Sequence, residues 1–346
     1  MSDWTHRDRF AAVVAGTPAD RPPIAAWRHF IDQEHGAEAL ARATVGFAER
    51  WDWDWVKINP RATYYAEAWG KRYDESDYRD VVPRQISQPI TTPADLGRVG
   101  RLDARTIPAF REQLEAARLI KAGLPDRPIL ETVFSPLAVV LELAGLGAFA
   151  PTSAYGHVYG SSEPLTLPRL LAEDRSGLHQ ALRAVAETLA DYVNLLLSPA
   201  VGLDGVFYAL LGTAQSGLLD AAAFAELSRP YDEIVLAAAA GSVRLLHTCG
   251  PKSHPEWFAS YPVDGINWDQ QAEGNPGFNA PFPRLAVGGV SHQLIANGAP
   301  AEVAAQTRQA VAAAQGRPFL LTPGCAIPVN VPDANLAAFR DAVEAR

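Results

Sequence analysis

The sequence predicts an α/β fold, a (β/α)8 TIM barrel, on three observations. Eight short apolar segments alternate with helical patterns along the chain. Most of these segments are almost continuously apolar, which is typical of parallel strands that helices cover on both faces. Candidate metal ligands stand at the ends of two of the segments, where barrel active sites are built. A doubly wound parallel sheet is the alternative fold, and the number of segments favours the barrel.

The predicted strands span residues 24–30, 53–59, 128–134, 205–210, 243–249, 265–269, 285–291 and 318–325. Between them, apolar residues recur every three to four positions over 177–197, which predicts an amphipathic helix. A second helical pattern covers 221–240, where Pro230 must kink or divide the helix. Two more helices are predicted over 300–314 and 332–343, because each pattern begins with a proline, a favoured residue in the first turn.

Two stretches depart from the alternation of strands and helices. Residues 63–118 predict an excursion after the second strand, with a hairpin at 64–89 and a helix from Pro108. Residues 150–168 are rich in Ser, Gly, Tyr and Pro and predict a loop at the rim of the barrel or a lid. No linker divides the sequence, so residues 1–346 are expected to form one domain.

Composition excludes several classes of protein. The chain has 346 residues, of which 48% are hydrophobic and 20% charged, as in ordinary globular proteins. A net charge of −9 argues against a nucleic-acid partner, which needs concentrated basic residues. The sequence predicts no membrane segment and no signal peptide, because its apolar runs are far shorter than the ~20 residues that cross a bilayer. Two cysteines are too few for a disulfide framework, so we expect a reducing, cytoplasmic setting.

Both cysteines fall at the ends of predicted strands. His247 and Cys249 are two residues apart, so their side chains leave the same face of an extended strand. Cys325 ends the eighth segment and would complete a set of three ligands. One imidazole nitrogen and two thiolates suit Zn²⁺, with a fourth position open for chemistry. The alternative is a pair of buried structural thiols, a common fate of free cysteine.

The sequence 247–250, HTCG, resembles the HxCG strand of the uroporphyrinogen decarboxylase-like superfamily. The resemblance is to its zinc methyltransferase branch, the methylcobalamin:coenzyme M methyltransferases and their bacterial relatives. It covers nearly the whole chain. The other segments that are similar to those of the family are 53–60, 66–70, 265–269, 288–290, 296–298 and 322–328.

The resemblance implies a (β/α)8 barrel in which His247, Cys249 and Cys325 are zinc ligands. It implies transfer of a methyl group from a methyl-corrinoid, or from another activated alkyl donor, to a zinc-bound thiol. The sequence lacks a corrinoid-binding Asp-x-His-x-x-Gly element, so the corrinoid (cobalamin) would arrive on a partner protein. The thiol stays open between coenzyme M, homocysteine, glutathione and others, and a homo-oligomer also stays open.

Two alternative functions compete with this one. The decarboxylase branch carries an Arg-Gln-Ala-Gly-Arg run that holds substrate carboxylates, whereas residues 26–32 read AWRHFID and retain only Arg28. A metal-free decarboxylase would also leave the two cysteines without a joint role. The third possibility is a non-catalytic zinc- or corrinoid-binding scaffold. Structural zinc sites close with four protein ligands, and the chain has no further cysteine, which favours catalysis.

Six further polar residues are weaker candidates for the site. Glu131 lies within the third predicted strand, where an unpaired carboxylate is unfavourable, so it would be a fourth zinc ligand or the partner of a buried arginine. Asp269 would accept a hydrogen bond from His247, bind substrate or cap a helix. The other candidates for binding polar groups of the substrate are Arg28, Asn59, Gln215 and His292. For Asn59, Gln215 and His292, a rim residue without a role is the favoured alternative.

Overall fold

The computed structural model describes residues 4–147, 165–278, 280 and 283–344. Its strands are β1 (Val56–Ile58), β2 (Arg72–Arg79), β3 (Val82–Ser87), β4 (Ile129–Phe134), β5 (Gly205–Ala209), β6 (Val243–His247), β7 (Gly265–Asn267), β8 (Leu285–Val290) and β9 (Phe319–Pro323). Its α-helices are α1 (His6–Val14), α2 (Ala37–Arg50), α3 (Tyr64–Ala68), α4 (Pro108–Gly123), α5 (Pro136–Leu143), α6 (Leu167–Ala172), α7 (Arg175–Leu197), α8 (Ala221–Leu227), α9 (Arg229–Ala238), α10 (His292–Asn297), α11 (Pro300–Ala313) and α12 (Asp333–Asp341).

Seven parallel strands form one curled sheet in the order β1-β4-β5-β6-β7-β8-β9. Every residue of β4 and β5 is buried, as expected for strands covered on both faces. Helices connect most neighbouring strands, and the arrangement is consistent with a TIM-like barrel. The sheet thus agrees with the predicted α/β class, with seven of the eight strands expected for a (β/α)8 barrel.

A short segment lies between the two outer strands of this sheet. Ile24 makes a parallel bridge to Leu321 of β9, and the Ala25 amide donates to the Leu321 carbonyl over 3.2 Å. On the other side, the amide of Asp54 donates to the carbonyl of Ile24 over 2.9 Å. The prediction of a full strand at 24–30 is wrong, because pairing is confined to this bridge. Further along the segment, the Ile327 amide donates to the Trp27 carbonyl over 2.9 Å, beyond the end of β9, so no strand is left there for the segment to pair with.

The predicted helices agree with the structure in type and place. The 177–197 pattern is α7, whose first turn is capped by the Asp174 carboxylate, which accepts from the Gly177 amide. Pro230 divides the 221–240 pattern into α8 and α9, because proline fits only the first turn of a helix.

Antiparallel strands β2 and β3 form a separate hairpin between β1 and β4. The expected hairpin at 64–89 begins later than predicted, because α3 occupies residues 64–68. Most of the predicted rim loop at 150–168 lies outside the described residues. Among the described residues, no helix is both long enough and apolar enough to cross a membrane.

The strand register determines which side chains share the concave face of the sheet. Residues paired across parallel strands point to the same side, and alternate residues of one strand share a face. Lys57 pairs with Leu130, and His247 pairs with Ala209 and Asn267. Following these pairs from β1 to β7 places Lys57, His247 and Asn267 on one face. The site described next is built on that face.

Candidate metal centre

The ends of β6 and β9 bring three soft ligand atoms together. His247 is the last residue of β6, Cys249 follows two positions later, and Cys325 follows the end of β9 by two positions. The Cys249 Sγ lies 3.8 Å from the Cys325 Sγ, which lies 3.8 Å from the His247 Nε2. All three ligand atoms lie within 4.8 Å of one another. We call these residues the His–Cys–Cys group.

The spacing of the His–Cys–Cys group fits one tetrahedral zinc ion. Two sulfurs that are each ~2.3 Å from zinc at the tetrahedral angle lie ~3.8 Å apart. The observed Sγ–Sγ distance of 3.8 Å matches this value. The imidazole of His247 is buried, whereas Cys249 and Cys325 are half-buried, so the group is partly open to a ligand from outside.

Asn267 of β7 sets the tautomer of His247. The Asn267 Nδ2 donates to the carbonyls of Val287, over 3.0 Å, and Pro323, over 3.2 Å, so its Oδ1 is the acceptor atom. This Oδ1 lies 2.6 Å from the His247 Nδ1. The Nδ1 therefore carries the proton, and the Nε2 lone pair faces the Cys325 sulfur.

A hydrogen bond links the two thiols of the group, whose sulfurs lie 3.8 Å apart. This contact lowers the pKa of Cys325 well below its usual value. The same contact raises the pKa of Cys249. Cys325 is therefore the more readily ionised of the two cysteines, and a divalent cation would displace the thiol protons.

Asp269 and His292 lie near the His–Cys–Cys group. Neither side chain contacts His247, and neither caps a helix. The hydrogen-bond acceptor of His247 is Asn267 rather than the predicted Asp269, because Asn267 is the residue in register with His247. The Asp269 Oδ1 accepts from the Gln271 amide over 3.0 Å, and its Oδ2 lies 3.5 Å from the His292 Nδ1.

Glu131 does not join the His–Cys–Cys group. Its register with Ile58 and Val206 places it on the sheet face opposite to His247, under helix α4. The Gln113 Nε2 of that helix donates to the Glu131 Oε2 over 2.9 Å, whereas the Oε1 has no partner among the described residues. No described arginine pairs with this carboxylate. Burial raises the pKa of Glu131 to about 8.

Gln215 supports the loop that carries Cys249. Its Nε2 donates to the Cys249 carbonyl over 2.9 Å. Gly250 follows with a φ of 82°, and a Cβ there would lie 1.9 Å from the Gln215 Nε2. Glycine is therefore required at this turn. The predicted substrate-binding role of Gln215 remains a prediction.

Lys57 is a buried lysine on the same face of the sheet as His247, and the sequence analysis did not single it out. It lines a small enclosed cavity together with two predicted candidates, Arg28 and Asn59. Burial lowers the pKa of Lys57 to about 7, against the opposing effect of the Cys325, Glu131 and Cys249 charges. A lysine within the apolar segment 53–59 was the available signal, because buried lysines are rare without a partner.

Comparisons with known proteins add the family and the fold. The chain matches the family model described as uroporphyrinogen decarboxylase (URO-D) over residues 5–346. A solved methyltransferase from Methanosarcina mazei superimposes with a TM-score of 0.75 at 19% identity, over 99% of each chain. No curated protein matches the chain in sequence.

Two more distant structures share the fold. A B12-independent methionine synthase from Shewanella sp. W3-18-1, in complex with selenomethionine, has a TM-score of 0.50 at 12% identity, over 89% of this chain and 87% of that one. A putative vitamin-B12-independent methionine synthase from Listeria monocytogenes has a TM-score of 0.52 at 14% identity, over 89% and 85%. At such identities the likeness concerns the fold.

Proposed function

The chain belongs to the uroporphyrinogen decarboxylase (URO-D) family, and within it we propose a zinc-dependent methyl- or alkyltransferase that acts on a thiol. In this proposal the chain is one (β/α)8 barrel domain. His247, Cys249 and Cys325 hold Zn²⁺, and a small thiol takes the open position. The methyl group comes from a methyl-corrinoid carried by a partner protein, or from another activated alkyl donor.

The observation that carries the proposal is the convergence of two thiol sulfurs and one imidazole nitrogen at tetrahedral spacing. Structural zinc sites have four protein ligands, whereas catalytic sites have three and keep one position open. Among the described residues, the group contains three His, Cys, Asp or Glu side chains. A three-ligand group supports catalysis over the alternative of a non-catalytic zinc- or corrinoid-binding scaffold.

The ligand set suits activation of a sulfur nucleophile. Zinc, when bound, holds a coordinated thiol as its thiolate at neutral pH. The two cysteines contribute two negative charges, which balance those of the ion and keep the substrate sulfur electron-rich. Asn267 accepts the hydrogen bond from the His247 Nδ1, which orients the imidazole so that its Nε2 faces the site of the metal.

The transfer itself is a substitution at carbon. With a methyl-corrinoid as donor, the substrate sulfur would form the bond to the methyl carbon while the carbon–cobalt bond breaks, and the electron pair of that bond would remain with cobalt. The reaction would then balance without an external oxidant or reductant. An in-line approach would require the donor to reach the substrate sulfur from outside, and the partial exposure of Cys249 and Cys325 is compatible with such an approach.

The experiment that tests the function is a methyl-transfer assay on zinc-loaded and zinc-depleted protein. Methylcobalamin serves as donor and a panel of small thiols as acceptor, with the thioether and the loss of methylcobalamin absorbance measured together. We expect transfer with the zinc-loaded protein and its recovery when zinc is returned to the depleted protein. Equal rates with and without zinc would contradict the proposal.

The family description supports a metal-free decarboxylase as the second candidate. A metal-free decarboxylase would remove carboxyl groups from a porphyrinogen. Its Cys249→Ser and Cys325→Ser variants would retain full activity. Assays of the same protein preparations with a porphyrinogen carrying acetate side chains therefore separate the two candidates.

A further inference from the structure

We propose that Ser216, His254 and Glu256 form a second reactive site, in which the serine hydroxyl is a nucleophile that accepts acyl groups from small carboxylic esters. Ser216 lies on the loop after β5, and the other two residues follow β6, the neighbouring strand of the sheet. Loops at the carboxyl ends of parallel strands are where such folds build active sites. The inference goes beyond methyl transfer and does not depend on it.

The first argument is a chain of two short hydrogen bonds. The Ser216 Oγ lies 2.8 Å from the His254 Nε2, and the His254 Nδ1 lies 2.7 Å from the Glu256 Oε1. A carboxylate oxygen only accepts, so the Nδ1 carries the proton and the Nε2 presents its lone pair to the serine. The hydroxyl therefore donates to the imidazole. In this arrangement a histidine acts as general base for a serine nucleophile.

The second argument is that the imidazole and the serine are held in place. The His254 ring stacks on the Trp257 ring, with 4.3 Å between the centroids and 6° between the planes. The Ser216 amide donates to the Lys252 carbonyl over 3.0 Å, which ties the loop of the serine to the loop of the histidine. A base and a nucleophile that are already positioned lose less entropy when they react.

The third argument is the backbone conformation of the same two loops. His254 has a φ of 48° and a ψ of 54°, in the left-handed region, although it is not a glycine. Leu211 and Lys252 also have positive φ values, of 52° and 48°. Side chains other than glycine adopt this conformation where the surroundings enforce it, and such residues cluster at functional sites. Here the strained residue is the one that would act as the base.

The fourth argument is access to the hydroxyl and a donor beside it. Ser216 and Gly217 are exposed, and His254 is half-buried, so a small ester can reach the serine from solvent. The Gly217 amide, directly after the serine, has no acceptor among the residues that the structure describes. The amide that follows a nucleophilic serine can stabilise the oxyanion of an acyl-transfer intermediate.

The reaction is an acyl transfer in two steps. The Ser216 oxygen forms a bond to the carbonyl carbon while its proton passes to the His254 Nε2. The bond from that carbon to the alcohol oxygen then breaks, and the departing oxygen takes the proton. Water attacks the acyl-serine in the same way and releases the carboxylic acid. Ester and water thus give acid and alcohol, and the serine and histidine are restored.

The test is labelling with a fluorophosphonate, an electrophile that reacts with activated serines, followed by mass spectrometry of the peptides. We expect Ser216 to react at least ~100-fold faster than Ser260, because general-base catalysis typically contributes that much. Ser260 is an exposed serine without a described hydrogen bond to a histidine, and it serves as the control within the same molecule. Zinc-loaded and zinc-depleted protein should label Ser216 equally, which separates this site from the proposed methyl transfer.

Two variants test the roles of the histidine and the carboxylate. His254→Gln should reduce the labelling of Ser216 to the level of Ser260, because the base is gone. Glu256→Gln replaces an exposed residue and guards against a folding defect in the first variant. It should also slow the labelling, because an amide can donate to the Nδ1 and favour the wrong tautomer.

Hydrolysis of p-nitrophenyl acetate is the second measurement. Wild type should release a burst of about one p-nitrophenol per chain as the acyl-serine forms. Ser216→Ala should lose this burst, whereas the matched variant Ser260→Ala should keep it. Thermal unfolding checks the fold of each protein. Folded wild type that is not labelled at Ser216, or a folded His254→Gln protein that is labelled as fast as wild type, would overturn the inference.

Discussion

The Nδ1 of His247 and the Oδ1 of Asn267 lie 2.6 Å apart, and Asn267 is itself held by main-chain carbonyls of two other strands, β8 and β9. The Asn267 side chain cannot rotate its amide without losing both contacts. Three strands therefore determine which nitrogen of the imidazole faces the cysteines. A ligand whose tautomer is fixed in advance binds a metal with less reorganisation.

Asn267→Leu should weaken zinc binding by about 10- to 100-fold, the usual effect of removing a partner behind a metal-bound histidine. The change leaves the His247 Nδ1 without an acceptor and lets the ring adopt the other tautomer. Competition with a chelator of known affinity measures the effect. Asn267→Asp, which keeps an acceptor oxygen, should retain tighter binding than Asn267→Leu. Equal affinities in the two variants would show that the hydrogen bond has no such role.

Protein purified without chelator should contain close to one zinc ion per chain, and Cys249→Ser or Cys325→Ser should lose most of it. The reason is the tetrahedral spacing of the three ligand atoms. Elemental analysis of the purified proteins is the measurement. His254→Gln, which alters a histidine on the same loop outside the group, should keep its metal. A zinc-free wild-type protein with full activity would refute the metal assignment.

The convergence of His247, Cys249 and Cys325 could be predicted from sequence, because the ends of parallel strands meet at one edge of the sheet and all three residues stand at strand ends. Their role as zinc ligands stays a prediction. The hydrogen-bond acceptor of the His247 Nδ1 could not be predicted reliably. Asn267 and Asp269 are two residues apart and point to the same face of the sheet, so only the strand register distinguishes them. The position of Glu131 could not be predicted for the same reason, because a shift of one residue in the strand register moves a side chain to the opposite face of the sheet. The cavity around Lys57 could not be predicted from sequence, because it depends on how residues that are distant in sequence pack together.

Cys325→Ala should fold but lose at least ~100-fold in methyl-transfer rate, which corresponds to about 2.7 kcal/mol of transition-state stabilisation. The variant removes one of the two sulfurs that keep the substrate electron-rich. Single-turnover kinetics at saturating thiol measures the loss, and thermal unfolding checks the fold. A folded variant with a normal rate would exclude a role for Cys325 in the reaction.

Binding of a small thiol to the zinc-loaded protein should release a proton, because the thiol ionises as it coordinates. Calorimetry in buffers of different ionisation enthalpy counts the protons. The S-methyl derivative of the same thiol has no proton to lose and provides the control. Equal proton counts for thiol and thioether would mean that the sulfur does not reach the metal as a thiolate.

Glu131 should make stability depend on pH in a defined direction. The pKa of its carboxyl is raised from the usual 4.5 to about 8 by burial, so the folded protein holds a proton that the unfolded chain releases. Its contribution to the free energy of unfolding is fully present below pH 4.5 and is lost as the pH rises through about 8.

Glu131→Gln keeps an acceptor oxygen for Gln113 but cannot ionise, so it should be increasingly more stable than wild type as the pH rises. Denaturant unfolding of both proteins at about pH 5 and about pH 8.5 isolates this group, because all other titrations are shared and cancel in the difference. A difference in stability that does not change with pH would show that the carboxylate is already ionised in the folded protein. Zinc content should be equal in the two proteins, since Glu131 faces helix α4 and not the metal ligands; loss of zinc in the variant would instead restore its role as a ligand.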